Sequence, residues 1–260
     1  MSRTIAIVNQ KGGVGKSTTA VNLGAYLAEA GRKVLLVDID PQGNATSGVG
    51  LEKGQINHCM YDVLLERLQI GEVIMPTKVK GLAAAPASIA LAGAEIELVA
   101  AISREYRLRN ALKPVLDQYD FILIDSPPSL GLLTVNSLAA ADGVLIPIQC
   151  EYYALEGLSQ LMQTIELIKS HLNTQLVIDG VVMTMYDSRT NLSQQVTEDV
   201  RGFFASRVKV FDTVIPRNVK LSEAPSYGLP INLYDDKCRG AQAYHELAKE
   251  VLSLWADAKR

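Results

Sequence analysis

The chain has 260 residues, of which 48% are apolar and 20% are charged, a balance that excludes a disordered protein and allows one sizeable core. Its formal net charge of −3 gives no overall attraction to nucleic acid, so any such binding must use a local basic patch. The three widely separated cysteines suggest neither a metal site nor a disulfide framework, and no apolar run reaches the ~18 residues that a transmembrane helix needs. We predict one domain over residues 1–260, in a reducing cytoplasm.

The first predicted elements are a strand, a glycine-rich turn, a helix and a second strand. Residues 4–9 form a continuous apolar run, residues 16–30 have helical periodicity, and residues 33–38 form another apolar run. This order predicts a βαβ unit in which the glycine-rich turn joins the first strand to the helix.

The rest of the chain alternates apolar runs with segments of helical length. Further strands are predicted at 121–125, 143–148 and 176–183. Helices are predicted at 95–117, 154–171, 192–206 and 240–257. Residues 43–90 are expected to be irregular, apart from a short helix near 61–68. Because the strands do not alternate apolar and polar residues, we predict an α/β fold with one doubly wound, mainly parallel sheet and helices on both faces.

The strongest functional signal lies between the first strand and the first helix. A run of nine residues there begins with the eight positions of the Walker A phosphate-binding pattern, except that Gln10 replaces its opening glycine. The nine residues are Gln10, Lys11, Gly12, Gly13, Val14, Gly15, Lys16, Ser17 and Thr18. Glycines let backbone N–H groups approach phosphates, Lys16 can reach the β and γ oxygens, and Ser17 can bind Mg²⁺. A turn that binds nothing is the alternative, but the flanking strand and helix favour a P-loop NTPase that binds nucleotide through residues 11–18.

Carboxylates follow two of the predicted strands. Asp38 and Asp40 follow the second strand, and Asp125 ends the strand at 121–125. Ligands bind beyond the carboxyl ends of strands in such sheets, so all three side chains can lie near the phosphates. Either Asp38 or Asp40 could hold a water ligand of Mg²⁺, and the other could orient the attacking water. Asp125 is suited to a position near Mg²⁺. Ordinary turns capped by these side chains are the alternative.

Taken together, the motifs at 11–18, 38–44 and 122–128 resemble those of the ParA family of deviant Walker A ATPases. The resemblance continues through 151–157 and 215–225, covers nearly the whole chain, and is closest to the short chromosomal members called Soj. It implies an ATPase with ATP and Mg²⁺ as cofactors.

The resemblance also implies how the site works. In this family two subunits enclose two ATP molecules, and the lysine that opens the loop, here Lys11, reaches the partner's nucleotide. A cation supplied from a partner neutralises charge that develops on the phosphates, as an arginine finger does. The resemblance therefore implies a homodimer with ATP in which Lys11, Lys16 and Asp40 are catalytic, with Asp40 holding the attacking water.

The metal and the base are assigned in the same way. The resemblance places Ser17, Asp38 and Asp125 at Mg²⁺, and it places adenine near the loop that contains Pro216 and Asn218. An ordinary turn after a strand is the alternative for that loop.

DNA and protein partners are further implications of the resemblance. ATP dimers of the family bind DNA without sequence preference through basic residues in the C-terminal half, for which Arg189, Arg217 and Lys220 are the candidates here. A solvated surface is the alternative for each of them. A ParB-type centromere-binding protein is expected to stimulate hydrolysis. We therefore expect a cytoplasmic, nucleoid-associated protein that segregates a chromosome or a plasmid.

Two other functions remain open, a MinD-like membrane-associated positioning ATPase and a metal-cluster carrier or reductase component. Residues 244–255 have apolar side chains at helical spacing that we expect to face the core, and residues 256–260 are too few for an interfacial anchor. No membrane partner is therefore expected. Cys150 and Cys238 are isolated in sequence, which argues against a shared metal cluster.

Overall fold

The computed structural model describes residues 2–152, 155, 157–205 and 207–258. Within these residues the strands are β1 (Arg3–Ile7), β2 (Val34–Asp38), β3 (Met75–Pro76), β4 (Leu82–Ala85), β5 (Phe121–Asp125), β6 (Gly143–Gln149), β7 (Val177–Tyr186) and β8 (Val210–Pro216). They form one sheet in the order β3-β4-β2-β5-β1-β6-β7-β8. All neighbouring strands are parallel except β3 and β4, which confirms the predicted mainly parallel sheet.

The helices of the described chain lie between these strands and pack on the sheet. They are α1 (Lys16–Glu29), α2 (Asn44–Gly48), α3 (Met60–Leu64), α4 (Ile70–Val73), α5 (Leu91–Glu97), α6 (Arg107–Leu112), α7 (Leu132–Ala140), α8 (Leu158–His171), α9 (Asn191–Phe204), α10 (Val219–Glu223), α11 (Ile231–Tyr234) and α12 (Arg239–Ala258). Short 3₁₀ turns occupy 53–55, 98–100, 104–106, 113–118 and 224–227.

Both faces of the sheet are covered, because successive residues of a central strand enter different cores. In β2, Leu36 packs with α1 and α12 on one face, whereas Leu35 packs with α3, α5 and α6 on the other. In β5, Leu123 belongs to the same core as Leu36, and Ile122 belongs to the same core as Leu35. A third apolar cluster covers β6 and β7 with residues of α7, α8 and α9. Strands buried on both sides explain the continuous apolar runs in the sequence.

The predicted helix at 95–117 is wrong as a single element. It is divided into α5, α6 and flanking 3₁₀ turns, with Ser103 in the left-handed region at a φ of 53°. Val99 and Ile102, whose apolar character extends the helical periodicity in the sequence, are exposed rather than part of the core. The periodicity therefore overestimated the length of continuous helix.

The prediction that 43–90 is irregular is wrong in part. This region contains α2, α3, α4 and two strands, and the predicted short helix is present as α3, somewhat earlier than expected. Strand β4 has the sequence Leu-Ala-Ala-Ala, whose alanines have low β-propensity, and it forms because it pairs with β2 in parallel register. Helix α7 and strand β8 were not predicted at all.

The remaining predicted helices agree with the structure where it describes them. Helix α9 and helix α12 match the predictions at 192–206 and 240–257, although residue 206 lies outside the described residues. Helix α8 matches most of the prediction at 154–171, but residues 153, 154 and 156 lie outside the described chain, so the resemblance at 151–157 is described only in part. Residues 259–260 lie outside it as well. In the described chain, no helix has the length and apolar character needed to cross a membrane.

Candidate nucleotide site

The glycine-rich loop leads from the carboxyl end of β1 into the first turn of α1. Gly13 and Gly15 have φ values of 75° and 89°, a left-handed conformation that residues with a side chain rarely adopt. Helix α1 begins at Lys16, directly after Gly15. The N–H groups of a helix's first turn have no partners inside the helix, so they can bind an anion here.

Side chains from the neighbouring segments hold the loop in place. The hydroxyl of Thr184, at the end of β7, donates to the carbonyl of Val14 at 2.8 Å. The Asn9 amide donates to a β6 carbonyl at 2.7 Å. Gln10, which replaces the first glycine of the Walker A pattern, donates to the carbonyl of Gly157 at 2.8 Å. The loop is therefore fixed before any ligand binds, which reduces the entropy lost on binding.

A cavity of about 940 Å³ opens beside this loop. The sequence-predicted site residues that line it are Gly12, Gly13, Gly15, Lys16, Ser17, Thr18, Asp40, Pro216, Arg217 and Asn218. The structure thus brings the phosphate loop, one of the carboxylates and the predicted adenine loop to one cavity, although they are separated by up to about 200 residues in sequence. Lys11, Val14, Asp38 and Asp125 do not line it.

Lys16 lines the cavity with 6% of its surface exposed. Its ammonium donates to the carbonyl of Lys11 at 3.0 Å. Burial lowers the pKa of Lys16, while the negative charges of Asp125 and Asp40 act in the opposite direction. The Lys16 ammonium is therefore held in position, and an anion bound beside it would stabilise its buried charge.

Asp38 is buried and its orientation is fixed by three donors. One carboxylate oxygen, Oδ2, accepts from the backbone N–H and from the hydroxyl of Thr46, each at 2.7 Å. The other oxygen, Oδ1, accepts from the backbone N–H of Asp40 at 3.1 Å. Burial raises the pKa of Asp38 to about 6, although the bonds from Thr46 oppose this shift.

Asp125 is the neighbour of Asp38 across the β2–β5 pair and is completely buried. Within the described chain, neither of its carboxylate oxygens has a hydrogen-bond partner. Burial is the main cause that raises the pKa of Asp125 well above its ordinary value, and the charge of Asp38 adds to it. The nearby Ser17 hydroxyl and the Lys16 ammonium act in the opposite direction, although neither completes a hydrogen bond to a carboxylate oxygen of Asp125 in the described chain. A buried carboxylate without a partner is unfavourable, and a nearby cation would relieve it.

This set of donors fits Mg²⁺ bound together with a nucleotide. The described residues contain no group of three His, Cys, Asp or Glu side chains that could hold a metal ion by themselves. Mg²⁺ does not need one, because it usually keeps several waters and takes its other ligands from one or two protein oxygens and from phosphates. Ser17, Asp38 and Asp125 are the residues predicted to supply such oxygens, and the two carboxylates are neighbours across the β2–β5 pair.

Asp40 lines the cavity, and its carboxylate accepts from the backbone N–H of Gln42 at 2.9 Å. The predicted trans-acting lysine, Lys11, points elsewhere: its ammonium lies 3.5 Å from Glu151 Oε2, and its side chain is 42% exposed. Arg217 lies 3.9 Å from the other oxygen of Glu151. The half-buried carboxylate of Glu151 therefore lies between Lys11 and Arg217, one of the candidate DNA-binding residues.

The other two candidate DNA-binding residues also have carboxylate partners. Arg189, in the loop after β7, donates to Asp187 at 2.7 and 2.9 Å and holds the pKa of that carboxyl below its ordinary range. Lys220, in α10, lies 3.1 Å from Glu223. Both lie beyond the carboxyl ends of β7 and β8, as Arg217 does. The three cations thus share the edge of the sheet that carries the cavity.

Sequence reasoning missed several residues that shape the site. Thr184 directly follows the predicted strand at 176–183, so the rule that ligands bind beyond strand ends could have identified it. Thr46 lies two residues beyond the motif at 38–44, and nothing in its residue type indicates a role. Tyr244 comes from α12 and lines the cavity, where its hydroxyl lies 3.1 Å from the hydroxyl of Thr19. Only tertiary packing brings Tyr244 to this position.

Several known proteins are similar to this chain over nearly its whole length. A family model described as an AAA domain matches residues 2–178. The sporulation initiation inhibitor protein Soj of Bacillus subtilis is 62% identical over 251 residues, which are 96% of this chain and 98% of that protein. The chromosome-partitioning ATPase Soj of Treponema pallidum is 56% identical over 253 residues, which are 97% of this chain and 98% of that protein.

The chain belongs to the ParA/Soj family. The predicted resemblance and the predicted enzyme class, an ATPase, are confirmed at this level. A cobyrinic acid a,c-diamide synthase from Mycobacterium smegmatis, with bound ADP and magnesium, superimposes with a TM-score of 0.88 at 38% identity and covers 99% of this chain and 97% of its own. It confirms the predicted fold class, and its ligands agree with the predicted cofactors, ATP and Mg²⁺. The roles of individual residues of this ParA/Soj member stay predictions.

Proposed function

We propose that this chain is a partition ATPase in which ATP acts as the switch between a monomer and a DNA-binding dimer. ATP binding drives formation of a sandwich dimer, the dimer binds DNA without sequence preference, and slow Mg²⁺-dependent hydrolysis, stimulated by a ParB-type partner, returns the protein to its monomeric state. The outcome is segregation of a chromosome or plasmid by a cytoplasmic, nucleoid-associated protein. The observation that carries this proposal is the single cavity in which Lys16, Asp40 and Asn218 meet beside the N-terminus of α1.

The residues in and beside the cavity have different roles in hydrolysis. The N–H groups of the loop and the buried ammonium of Lys16 bind the phosphates. Asp40 orients the attacking water, a role that depends mainly on position. Ser17, Asp38 and Asp125 would hold Mg²⁺, and the bound ion supplies positive charge that offsets the charge on the phosphoryl oxygens.

Lys11 links nucleotide binding to dimer formation. Its ion pair with Glu151 is exposed and 3.5 Å long, and such pairs contribute little to stability. The ammonium can therefore leave Glu151 for the triphosphate of a second subunit at small free-energy cost. A cation supplied in this way would make the dimer bind ATP more tightly than the monomer, which is the condition for ATP to shift the equilibrium.

The DNA surface is proposed at the same edge of the sheet. Arg189, Arg217 and Lys220 are all exposed at least in part, and each pairs with a surface carboxylate that DNA phosphates can replace. Phosphate contacts release counterions, so binding is expected to fall steeply with salt and to be insensitive to base sequence. A dimer would present two copies of this set, so DNA binding is expected to depend on ATP.

The adenine assignment to Pro216 and Asn218 is supported by their place in the wall of the cavity. The amide oxygen of Asn218 accepts from the backbone N–H of Lys220 at 2.9 Å, which fixes its orientation. A competition experiment with GTP tests this assignment. Displacement of ATP by GTP at equal concentration would overturn it.

The MinD-like alternative has less support from the structure. The apolar residues Tyr244, Leu247 and Val251 of α12 lie in the core, as predicted, and Trp255 packs against Phe121. This face of α12 is therefore occupied by the protein's own core and is not available to a membrane surface. Flotation with liposomes and ATP separates the two functions, because only the MinD-like protein would rise with the lipid.

The central experiment measures retention on immobilised DNA of random sequence in the presence of ATP, ADP or no nucleotide. We expect retention with ATP only, and prolonged retention for Asp40→Ala, which cannot reset the switch. Lys16→Ala is the matched negative control, because it removes the phosphate contact. Equal retention in all three nucleotide states would contradict the proposal.

A further inference from the structure

Thr46 joins three segments of the chain at one buried point. Its backbone N–H and its hydroxyl both donate to Asp38 Oδ2 at 2.7 Å. The same hydroxyl oxygen accepts from the backbone N–H of Ala87 at 2.9 Å. Thr46 has no exposed surface. One hydroxyl thus connects the end of β2, helix α2 and the segment that follows β4.

The bonds from Thr46 fix the direction of the Asp38 carboxylate. Oδ2 is saturated by two short bonds, whereas Oδ1 receives one longer bond of 3.1 Å from Asp40. The free lone pairs of the carboxylate are therefore concentrated on Oδ1. In the described chain, the neighbouring Asp125 has no such bonds on either oxygen, so Asp38 is the carboxylate of this pair whose geometry is set in advance.

We propose that Thr46 is a positioning residue, which orients Asp38 for the magnesium ion that accompanies ATP. This inference rests on the proposed function, because it needs Mg²⁺ to bind beside Asp38. The principle is general: side chains that hydrogen-bond to the groups around a metal fix their orientation, and losing such a bond typically lowers metal affinity or activity by ~10- to 100-fold.

Three substitutions at this position separate the hydroxyl from the bulk of the side chain. Thr46→Ser keeps the hydroxyl, which can still donate to Asp38 and accept from Ala87. Thr46→Val keeps the shape and the backbone N–H but removes the hydroxyl. Thr46→Ala also removes it and serves as a second test if the valine variant folds poorly. Thr197→Val is the matched control, because Thr197 is also buried and hydrogen-bonded but lies in α9.

The experiment measures the affinity of the protein for N-methylanthraniloyl-ATP by fluorescence, first in EDTA and then over a titration with MgCl₂. We expect Thr46→Val and Thr46→Ala to need at least ~10-fold more Mg²⁺ for the half-maximal effect, with little change in the affinity measured in EDTA. Thr46→Ser and Thr197→Val are expected to behave like the wild type. In an Asp38→Asn background, Thr46→Val is expected to have little further effect, since it acts through Asp38.

Several results would overturn the assignment. A Mg²⁺ requirement of Thr46→Val equal to that of the wild type would contradict it while leaving the proposed function intact. An equal loss of affinity with and without Mg²⁺ would show that Thr46 only supports the fold. A wild-type protein whose ATP affinity does not depend on Mg²⁺ would contradict the proposed function and, with it, this inference.

Discussion

Replacing Asp125 with asparagine is expected to stabilise the ligand-free protein and to weaken its response to ATP and Mg²⁺. Asp125 is completely buried, neither carboxylate oxygen has a partner in the described chain, and Asp38 is its neighbour across the strand pair. Asn has nearly the same shape but no charge. The substitution therefore removes the repulsion and most of the unfavourable desolvation, together with the attraction for a cation.

The expected gain in stability follows from the lack of hydrogen-bond partners on the Asp125 carboxylate in the described chain. An unsatisfied buried group costs about 1–3 kcal/mol, and more when it is charged, while the Ser17 hydroxyl and the Lys16 ammonium relieve part of this. A gain of ~2 kcal/mol for Asp125→Asn corresponds to a rise in Tm of roughly 4–8 °C for a domain of this size. Saturating ATP and Mg²⁺ at about 100 times Kd would stabilise the wild type by ~2.7 kcal/mol, and the variant by much less.

The pH dependence has a defined sign. The folded-state pKa values of Asp38 and Asp125 are raised above the ordinary value of about 4. The folded protein therefore has its full stability below that pH, where both carboxyl groups are protonated, and it loses stability as the pH rises. For Asp38 the loss occurs between pH ~4 and about 6. The ligand-free wild type is thus expected to be less stable at pH 8 than at pH 5, and the advantage of Asp125→Asn is expected to shrink at pH 5.

Thermal unfolding at pH 5 and pH 8, with and without ATP and Mg²⁺, measures all of these effects. Asp117→Asn is the matched control, since Asp117 is exposed and remote from the cavity; surface changes usually alter stability by less than ~0.5 kcal/mol. A lower Tm for ligand-free Asp125→Asn than for the wild type at pH 8 would refute the reasoning about the buried charge. Full stabilisation of this variant by ATP and Mg²⁺ would refute the magnesium assignment.

Other substitutions test the phosphate loop, the dimer, the DNA surface and the backbone. Lys16→Ala is expected to abolish ATP binding in a calorimetric titration, because no other buried cation of the described chain lines the cavity; unchanged affinity and turnover would remove the P-loop assignment. Lys11→Ala is expected to bind ATP but to remain a monomer in light scattering, since this side chain lies outside its own cavity. Arg189→Ala is expected to weaken DNA binding and to reduce the slope of log K against log salt by about one, and an unchanged slope would contradict a phosphate contact. Gly50→Ala is expected to lower the free energy of unfolding by about 2 kcal/mol or more, because φ is 85° and the new Cβ would lie 2.7 Å from a backbone oxygen. Gly54→Ala, which has open space at its Cβ, is the control in the same denaturant titration.

The sequence predicted those parts of the fold and site that depend on local pattern. The run from β1 through the glycine-rich loop to α1 carries its periodicity, its turn residues and its ligand chemistry in one continuous segment. The carboxylates at and just after the end of β2 and at the end of β5 were found because parallel strands point their carboxyl ends to one edge. These features need no knowledge of distant contacts.

The parts that were missed depend on tertiary pairing. Strand β4 consists mostly of alanines and is a strand because β2 lies beside it. The apolar residues Val99 and Ile102 suggested a continuous helix, yet they are exposed. Thr46 and Thr184 are common polar residues whose importance lies in the atoms they meet, Asp38 in one case and the Val14 carbonyl in the other. Residue type and spacing do not encode the contact of Thr46, whereas the position of Thr184 directly after a predicted strand was a signal that the rule on strand ends could have used.

The most direct test of the account is the mass of the purified protein in solution, measured by light scattering with Mg²⁺ and a non-hydrolysable ATP analogue, with ADP, and without nucleotide. The account predicts a dimer with the analogue and a monomer in the other two conditions, because Lys11 reaches a triphosphate held by the second subunit. A protein that remains a monomer with saturating analogue and Mg²⁺ would contradict the proposed switch.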